Sequence, residues 1–333
     1  MSATDAIADF WQFWAGAKDA FAASFRTGEE LPELVTKMGE RVAAIDPRLD
    51  WEFGPGYVND HHLALSGKGD PRLRVLTEQW LARAPDGGSV WEFYAARQPH
   101  SSQAFVLVVS GHEITLDGVV GVARDDETRE RLDVTIHHPA FASMADDKLK
   151  SQVAYIALDA LLGEDGVERW VGAVDTADAP PEGALSFSAL REHALAFSAR
   201  ATGQVWVDLE DPRDGGAVAV TLNAAVKRID HPLADAHLSV TMRVARPEDA
   251  SLSQKSDMSA LESMQQTLSA ALGAHAVAIA HETIPGARTL HFHVAAEGPA
   301  RMLVDAWRAR YPSVDISVAV AGDPAWEILD RWG

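Results

Sequence analysis

The run His237-Leu238-Ser239-Val240-Thr241-Met242-Arg243-Val244 alternates polar and apolar residues with a period of two, the pattern of a strand that buries one face. Further on, Met258, Leu261, Met264, Leu268 and Leu272 recur at helical spacing, and Gly273 is the stop. Ala276 to Ile284 and Arg288 to Ala295 then flank Pro285-Gly286, a hairpin signal. Pro299 opens a second helix carrying Leu303, Ala306 and Trp307; Pro312 ends it, and Ile316 to Val320 is a last strand. The order β-α-β-β-α-β predicts a ferredoxin-like unit, a four-stranded antiparallel sheet with both helices on one face. Its other face is where a partner is expected.

Upstream of this unit, Val205 to Leu209 and Val218 to Leu222 read as short strands around the turn Asp211-Pro212-Arg213-Asp214-Gly215-Gly216. Regular structure restarts there, so a boundary is expected near Thr202-Gly203. The chain of 333 residues exceeds one ordinary core, and its 47% apolar content suffices for two. The expected fold is α+β with two domains: residues 1–200, a related α+β sandwich with two leading helices, and residues 204–333, the ferredoxin-like domain.

In the first domain, Phe10, Phe13, Trp14, Ala17, Phe21 and Phe25 mark a helix from about Thr4 to Phe25 with one aromatic face. Thr27 and Glu30 have capping-box spacing before a second helix that ends at Asp46-Pro47. Trp51 with Phe53, and Leu63 with Leu65, read as two strands; Asp70-Pro71 opens a helix, and Val90 to Ala95 returns as a strand. Phe105 to Val109, Glu113 to Val120, Leu132 to His137 and Trp170 to Val174 are strand-like. Lys148 to Leu162, closed by Gly163, and Phe187 to Arg200 are helices. Leu63 to Pro85 aligns without gaps on Leu290 to Pro312 and shares Arg74/Arg301, Trp80/Trp307 and Pro85/Pro312, an internal echo of strand, turn and helix.

With these elements placed, residues from about Gln204 to Leu329 resemble the bacterial family called domain of unknown function 695. The resemblance rests on Val218 to Asn223, the strand His237 to Met242, Ala278-Ile279-Ala280-His281-Glu282-Thr283, the turn Gly286-Ala287-Arg288, Phe292, and the ending Asp323-Pro324-Ala325-Trp326. The chain departs from the family at Ile328-Leu329, where an aromatic is expected after the tryptophan. The resemblance implies a fold and no mechanism. The element order and acidity also resemble, at the level of fold alone, the small acidic regulators of ribonuclease E activity.

A formal charge of −20 repels phosphate backbones and anionic lipid headgroups, which argues against nucleic acid and membrane and in favour of solubility or a basic protein partner. With no cysteine there is no disulfide, thiolate metal site or cysteine nucleophile. The N-terminus lacks a basic leader and no apolar run reaches spanning length, so a cytoplasmic location is expected. Phosphate-loop, dinucleotide, His-Glu-x-x-His and EF-hand motifs are absent, and no cofactor is expected.

Among thirteen histidines, His281, His291 and His293 form the candidate set. His291 and His293 share a strand face. A three-residue hairpin loop would set His281 opposite His291 and let three imidazoles converge as a zinc-type site; a two-residue loop would send His281 to the other face. Ordinary surface or half-buried histidines are the simpler reading, and no metal is expected. Glu164, Asp165 and Glu168, after Gly163, read as a solvated turn, and Ser110-Gly111-His112-Glu113 as a turn rather than a nucleophile elbow. The functional expectation is a non-catalytic binding or regulatory protein that uses a sheet face or an interdomain cleft. A metal-dependent or other hydrolase in that cleft, and a structural scaffold, are the alternatives.

Overall fold

A computed structural model describes residues 1–100, 106–109, 112–213, 216–243 and 254–332. Phe105, the Ser110-Gly111 step, Asp214-Gly215 and Val244 lie outside the described residues. The fold is mixed α+β and divides into two compact units, Met1–Glu127 with Arg131–Ala201, and Thr128–Glu130 with Thr202–Gly333. Each is described by itself.

The first unit begins with α1 (Ala3–Thr27), entered through a capping box between Ser2 and Asp5. The Thr27–Glu30 capping box does not form: Thr27 Oγ1 bonds back to the carbonyl of Ala23, and α2 (Pro32–Ile45) starts without a side-chain cap. Proline at its first position needs no amide partner, which removes one reason for the cap. Next come β1 (Asp50–Pro55), β2 (His61–Ser66), α3 (Pro71–Leu81) and β3 (Trp91–Tyr94). Asp70 caps α3 by accepting from the amide of Arg72. The sheet order is β1-β2-β3, antiparallel then parallel, and α3 makes the crossover to the parallel strand.

One face of this sheet is apolar. Phe53, Leu63, Leu65, Trp91 and Phe93 pack against Phe10, Trp11, Trp14 and Phe21 of α1 and Trp80 of α3. Trp11 stacks on Trp80 at 4.6 Å and donates its indole N–H to the Trp80 carbonyl. Because strand side chains alternate, the apolar face obliges the intervening residues Asp50, Glu52, Gly54, His62, Ser66, Glu92 and Tyr94 onto the opposite face.

The unit continues with β4 (Val106–Val109), β5 (His112–Thr115), β6 (Val120–Asp126), β7 (Arg131–His137), α4 (Asp147–Trp170), β8 (Val171–Thr176), β9 (Leu185–Ser186) and α5 (Phe187–Ser198). β4 and β5 pair as a hairpin, and the larger sheet runs β8-β7-β6-β9. Leu132, Val134 and Ile136 of β7 bury themselves under Ala157, Leu158 and Leu161 of α4 and Leu190 and Phe197 of α5. The first helical segment stops at Gly163 (φ 74°, ψ 163°), as expected, and a second segment carries α4 on to Trp170. A Cβ at that position would lie 2.9 Å from the Arg97 carbonyl, so glycine is required on grounds of both conformation and space.

The second unit comprises β10 (Trp206–Arg213), β11 (Gly216–Asn223), β12 (Ala236–Arg243), α6 (Gln254–Leu272), β13 (Val277–Ile284), β14 (Ala287–Val294), α7 (Ala300–Arg308) and β15 (Asp315–Gly322). They form one antiparallel sheet of order β10-β11-β13-β14-β12-β15. Leu238, Val240 and Met242 of β12 and Leu290, Phe292 and Val294 of β14 face Leu261, Met264 and Leu268 of α6 and Val304 and Trp307 of α7. The expected amphipathic reading of His237 to Met242 is what this core uses. The echo of Leu63–Pro85 in Leu290–Pro312 is local: Trp80 and Trp307 are both buried on helices after a strand, but β2 has a parallel neighbour and β14 has only antiparallel ones. No helix among the described residues is long and apolar enough to cross a membrane.

Candidate functional site

On the second unit, the sheet face away from α6 and α7 holds the imidazoles. His237 of β12 faces His293 of β14, and Ser239 faces His291. His237 Nε2 lies 3.0 Å from His291 Nδ1, with the rings nearly parallel. His281 is not among them. The hairpin turn has two residues, Pro285 and Gly286 (φ 79°), so Ile284 pairs with Ala287 and His281 falls opposite Leu290, on the helix-covered face. Burial, with Arg288 beside it, lowers the His281 pKa. The place opposite His291 on β13 falls to Ala280, and the third imidazole of this face is His237, from β12 on the other side of β14. Among the described residues, no three His, Asp or Glu side chains are grouped to hold a metal ion.

The chain's end covers this imidazole face. Asp323 accepts the amides of Glu327 and Ile328 and so caps the final turn, while Trp326 donates its indole N–H to the Ala234 carbonyl. Trp326 stacks on His293 at 4.1 Å, and Trp332 meets His291 edge-on at 5.0 Å. Fully buried, His293 has neither ring nitrogen in a well-formed hydrogen bond, although Asp323 Oδ2 is 3.5 Å from Nε2. Burial holds its pKa down to about 4. Arg288, from the Gly-x-Arg turn, bonds Gln265 and pins the hairpin to α6. This face is therefore packed beneath the tail.

The first unit carries a second polar site, on the non-core face of β1-β2-β3. Arg97 donates to Asp50 Oδ2 at 2.7 Å and approaches Glu52 at 3.4 Å, and its backbone amide donates to Glu164 Oε2. Glu164 also accepts from Ser66 Oγ at 2.6 Å, and Asp165 pairs with Arg74. The expectation of a solvated turn at Glu164 and Asp165 is thus corrected: the break at Gly163 turns Glu164 inward, leaving its side chain 11% exposed. Burial, reinforced by Glu164, pushes the Asp159 carboxyl up to about 7. Burial likewise raises Glu52.

His62 lies on the same sheet face as Glu52. It is 6% exposed, and its Nδ1 is 2.9 Å from the Pro55 carbonyl. A carbonyl only accepts, so Nδ1 carries the proton, and in the neutral ring Nε2 presents a lone pair. Nε2 has no hydrogen-bond partner among the described residues. The ring crosses from β2 over Gly54 of β1, where a Cβ would overlap it. Tyr57 and Tyr94 flank it, with ring centroids at 6.4 and 5.7 Å. Glu92 is committed elsewhere: burial opposes its charge, but the amides of Tyr57, Asn59 and Val58 and the Tyr94 hydroxyl hold its pKa down to about 2.

Sequence reasoning missed this site. Its one legible signal was the polar alternate of each strand, Asp50, Glu52 and Gly54 beside Trp51 and Phe53, and His62 beside Leu63.

Residues 213–330 match the family described as "Family of unknown function (DUF695)"; the N-terminal region has no family match. No curated protein and no solved structure matches the chain.

Proposed function

We propose that this is a non-catalytic binding protein that takes its ligand on a polar sheet face, the one formed by β1, β2 and β3. The observation that carries this reading is His62, a nine-tenths buried imidazole whose Nε2 finds no partner, on the same sheet face as Glu52, a carboxyl that burial raises. Buried polar atoms are ordinarily paired, so an unmet acceptor on the face of a raised carboxyl marks a place for a ligand. In the second unit, the order β13-β14-β12-β15 with α6 and α7 on one face supports a ferredoxin-like assignment, extended by the β10-β11 hairpin. The acidic charge supports a basic protein partner for the whole chain, and the absence of cysteine agrees with a cytoplasmic setting.

The hydrolase alternative has an observation of its own in its favour. Asp159 near neutrality and an imidazole lone pair are the parts of a general acid and base. Thermal-shift screening of the intact protein against small polar ligands, repeated with His62→Gln, separates the readings. Stabilisation that His62→Gln removes, with no ligand consumed on long incubation, supports binding. Turnover abolished by His62→Gln replaces binding with catalysis, and a screen in which nothing shifts the melting point overturns the site.

A further inference from the structure

We infer that the ligand of the β1-β2-β3 face is a small organic cation bearing N–H donors, an ammonium or guanidinium. The inference rests on the binding reading above and adds the ligand's chemistry.

The first argument is the sign of the unmet groups. In the neutral ring His62 Nε2 is an acceptor, because the Pro55 carbonyl takes the Nδ1 proton. Glu52 and Asp159 are carboxyls, and Asp50 and Glu164 add two more charges around Arg97. The hydroxyls that could have donated are spent internally: Tyr94 on Glu92, Tyr57 on the Pro99 carbonyl and Ser66 on Glu164. Arg97 Nε, 3.4 Å from Glu52, is an unmet donor of the protein's own, so a ligand that brings donors would serve the acceptors that Arg97 leaves.

Charge points the same way. Facing these four acids are Arg97 and Lys68, the latter 3.9 Å from Asp50, and at the His62 end Arg191 acts on Tyr57. Burial first, and Glu164 and Glu52 after it, push the Asp159 carboxyl up to about 7, so it holds a proton that the other acids do not. A cation bound beside Glu52 would favour the charged carboxylate and release that proton.

Geometry places the imidazole with the acids. His62 pairs with Gly54, and Glu52 pairs with Ala64, so His62 and Glu52 are diagonal neighbours on one face, within about 8 Å. The His62 ring lies over β1 itself, because Gly54 has no side chain to exclude it. A compact metal ion is disfavoured on this arrangement, since these carboxyls and the imidazole are not grouped as ligands. A spread organic charge suits it, and the faces of Tyr57 and Tyr94 beside His62 offer cation–π contact.

Isothermal titration of the full chain with butylammonium, butylguanidinium, neutral N-butylurea and, in PIPES alone, zinc chloride tests this. The expected result is binding of a cation at least tenfold tighter than butylurea, and a heat at pH 7 that differs between phosphate and PIPES buffers because a proton is released. Glu52→Gln and His62→Gln should each weaken cation binding about tenfold, the loss of one charge-assisted or desolvated hydrogen bond. Asp159→Asn, which keeps its shape, should abolish the buffer dependence; thermal melts of all three variants establish that they fold. Equal binding of butylurea would overturn the cation while leaving the binding face. Zinc binding without cation binding would overturn the organic ligand. No binding by any probe, with melts intact, would remove both the cation and the face.

Discussion

Gly54 and His62 share one volume: the imidazole rests where the side chain of residue 54 would begin, and a Cβ there would come 2.8 Å from Nε2 as well as overlapping Cε1. The pair is in register across β1 and β2, so the ring cannot reach the Pro55 carbonyl if residue 54 has a side chain. Gly54→Ala should keep the fold, because a side chain rather than backbone must move. It should cost about 1–2 kcal/mol through the displaced ring and lost hydrogen bond. Long-range nitrogen–proton NMR of the imidazole is the direct check: the wild type shows the Nδ1–H tautomer, and the variant should lose that preference.

Asp159 makes stability depend on pH in a stated direction. Its carboxyl titrates at about 7 in the folded chain and at 3.8 when exposed, so the folded state holds the proton more tightly. The associated stability is complete below pH 4 and is lost as pH rises to 7. Asp159→Asn removes that slope. After allowance for solvent screening, the variant should be more stable than wild type by about 1–2 kcal/mol at pH 8 and no more stable at pH 4. Urea denaturation at the two pH values reads both limbs; a variant less stable at pH 8 would contradict the raised carboxyl.

Arg97 is the counter-charge on which the acids depend. Removing it leaves Asp50, Glu52 and Glu164 facing one another with the face only partly open to water. Arg97→Ala should cost about 2–4 kcal/mol at pH 7. At pH 5 the deficit should shrink, since raised carboxyls such as Glu52 can take protons instead. Denaturant midpoints for both proteins at both pH values give the comparison.

The legibility of the chain follows the range of its interactions. His237 to Met242 and the stripe Leu261, Met264 and Leu268 declare their buried sides through period alone, and the structure uses those sides. Whether His281 joined His291 turned on one residue of loop length, which Pro285-Gly286 leaves open until the pairing of Ile284 with Ala287 is known. Glu164 looked like a surface turn because Gly163 commonly ends helices. Its inward direction depends on the Arg97 amide, 67 residues earlier in the chain, which no local pattern announces. The site around His62 was hidden for the same reason: its parts come from residues 50–66, 92–100 and 159–164, joined by packing between helix α4 and a sheet that share no sequence signal.

The C-terminal tail should open in acid. His293 is buried with its pKa at about 4, and burial also lowers His237, so the folded unit holds both rings neutral near pH 7. For a base whose folded pKa is depressed, stability is complete above the unfolded value of about 6.5 and falls as pH drops toward 4. The groups facing His293 cannot offset this fully: Asp323 favours the charge, His237 opposes it, and Trp326 covers the ring at stacking distance. Protonation should therefore release Trp326 and Trp332 together with residues 323–332. Between pH 7 and 4, tryptophan emission should shift to the red and proteolysis near Trp326 should accelerate, while the helical signal remains. His293→Phe, which keeps the stack without a titrating nitrogen, should suppress both changes. Trp326→Ala should cost about 3–5 kcal/mol and open the tail already at pH 7, since it removes the stack and the bond to Ala234 together. A wild-type tail that stays closed below pH 4 would show that Asp323 makes His293 a tolerable cation, and the depressed titration would then be wrong.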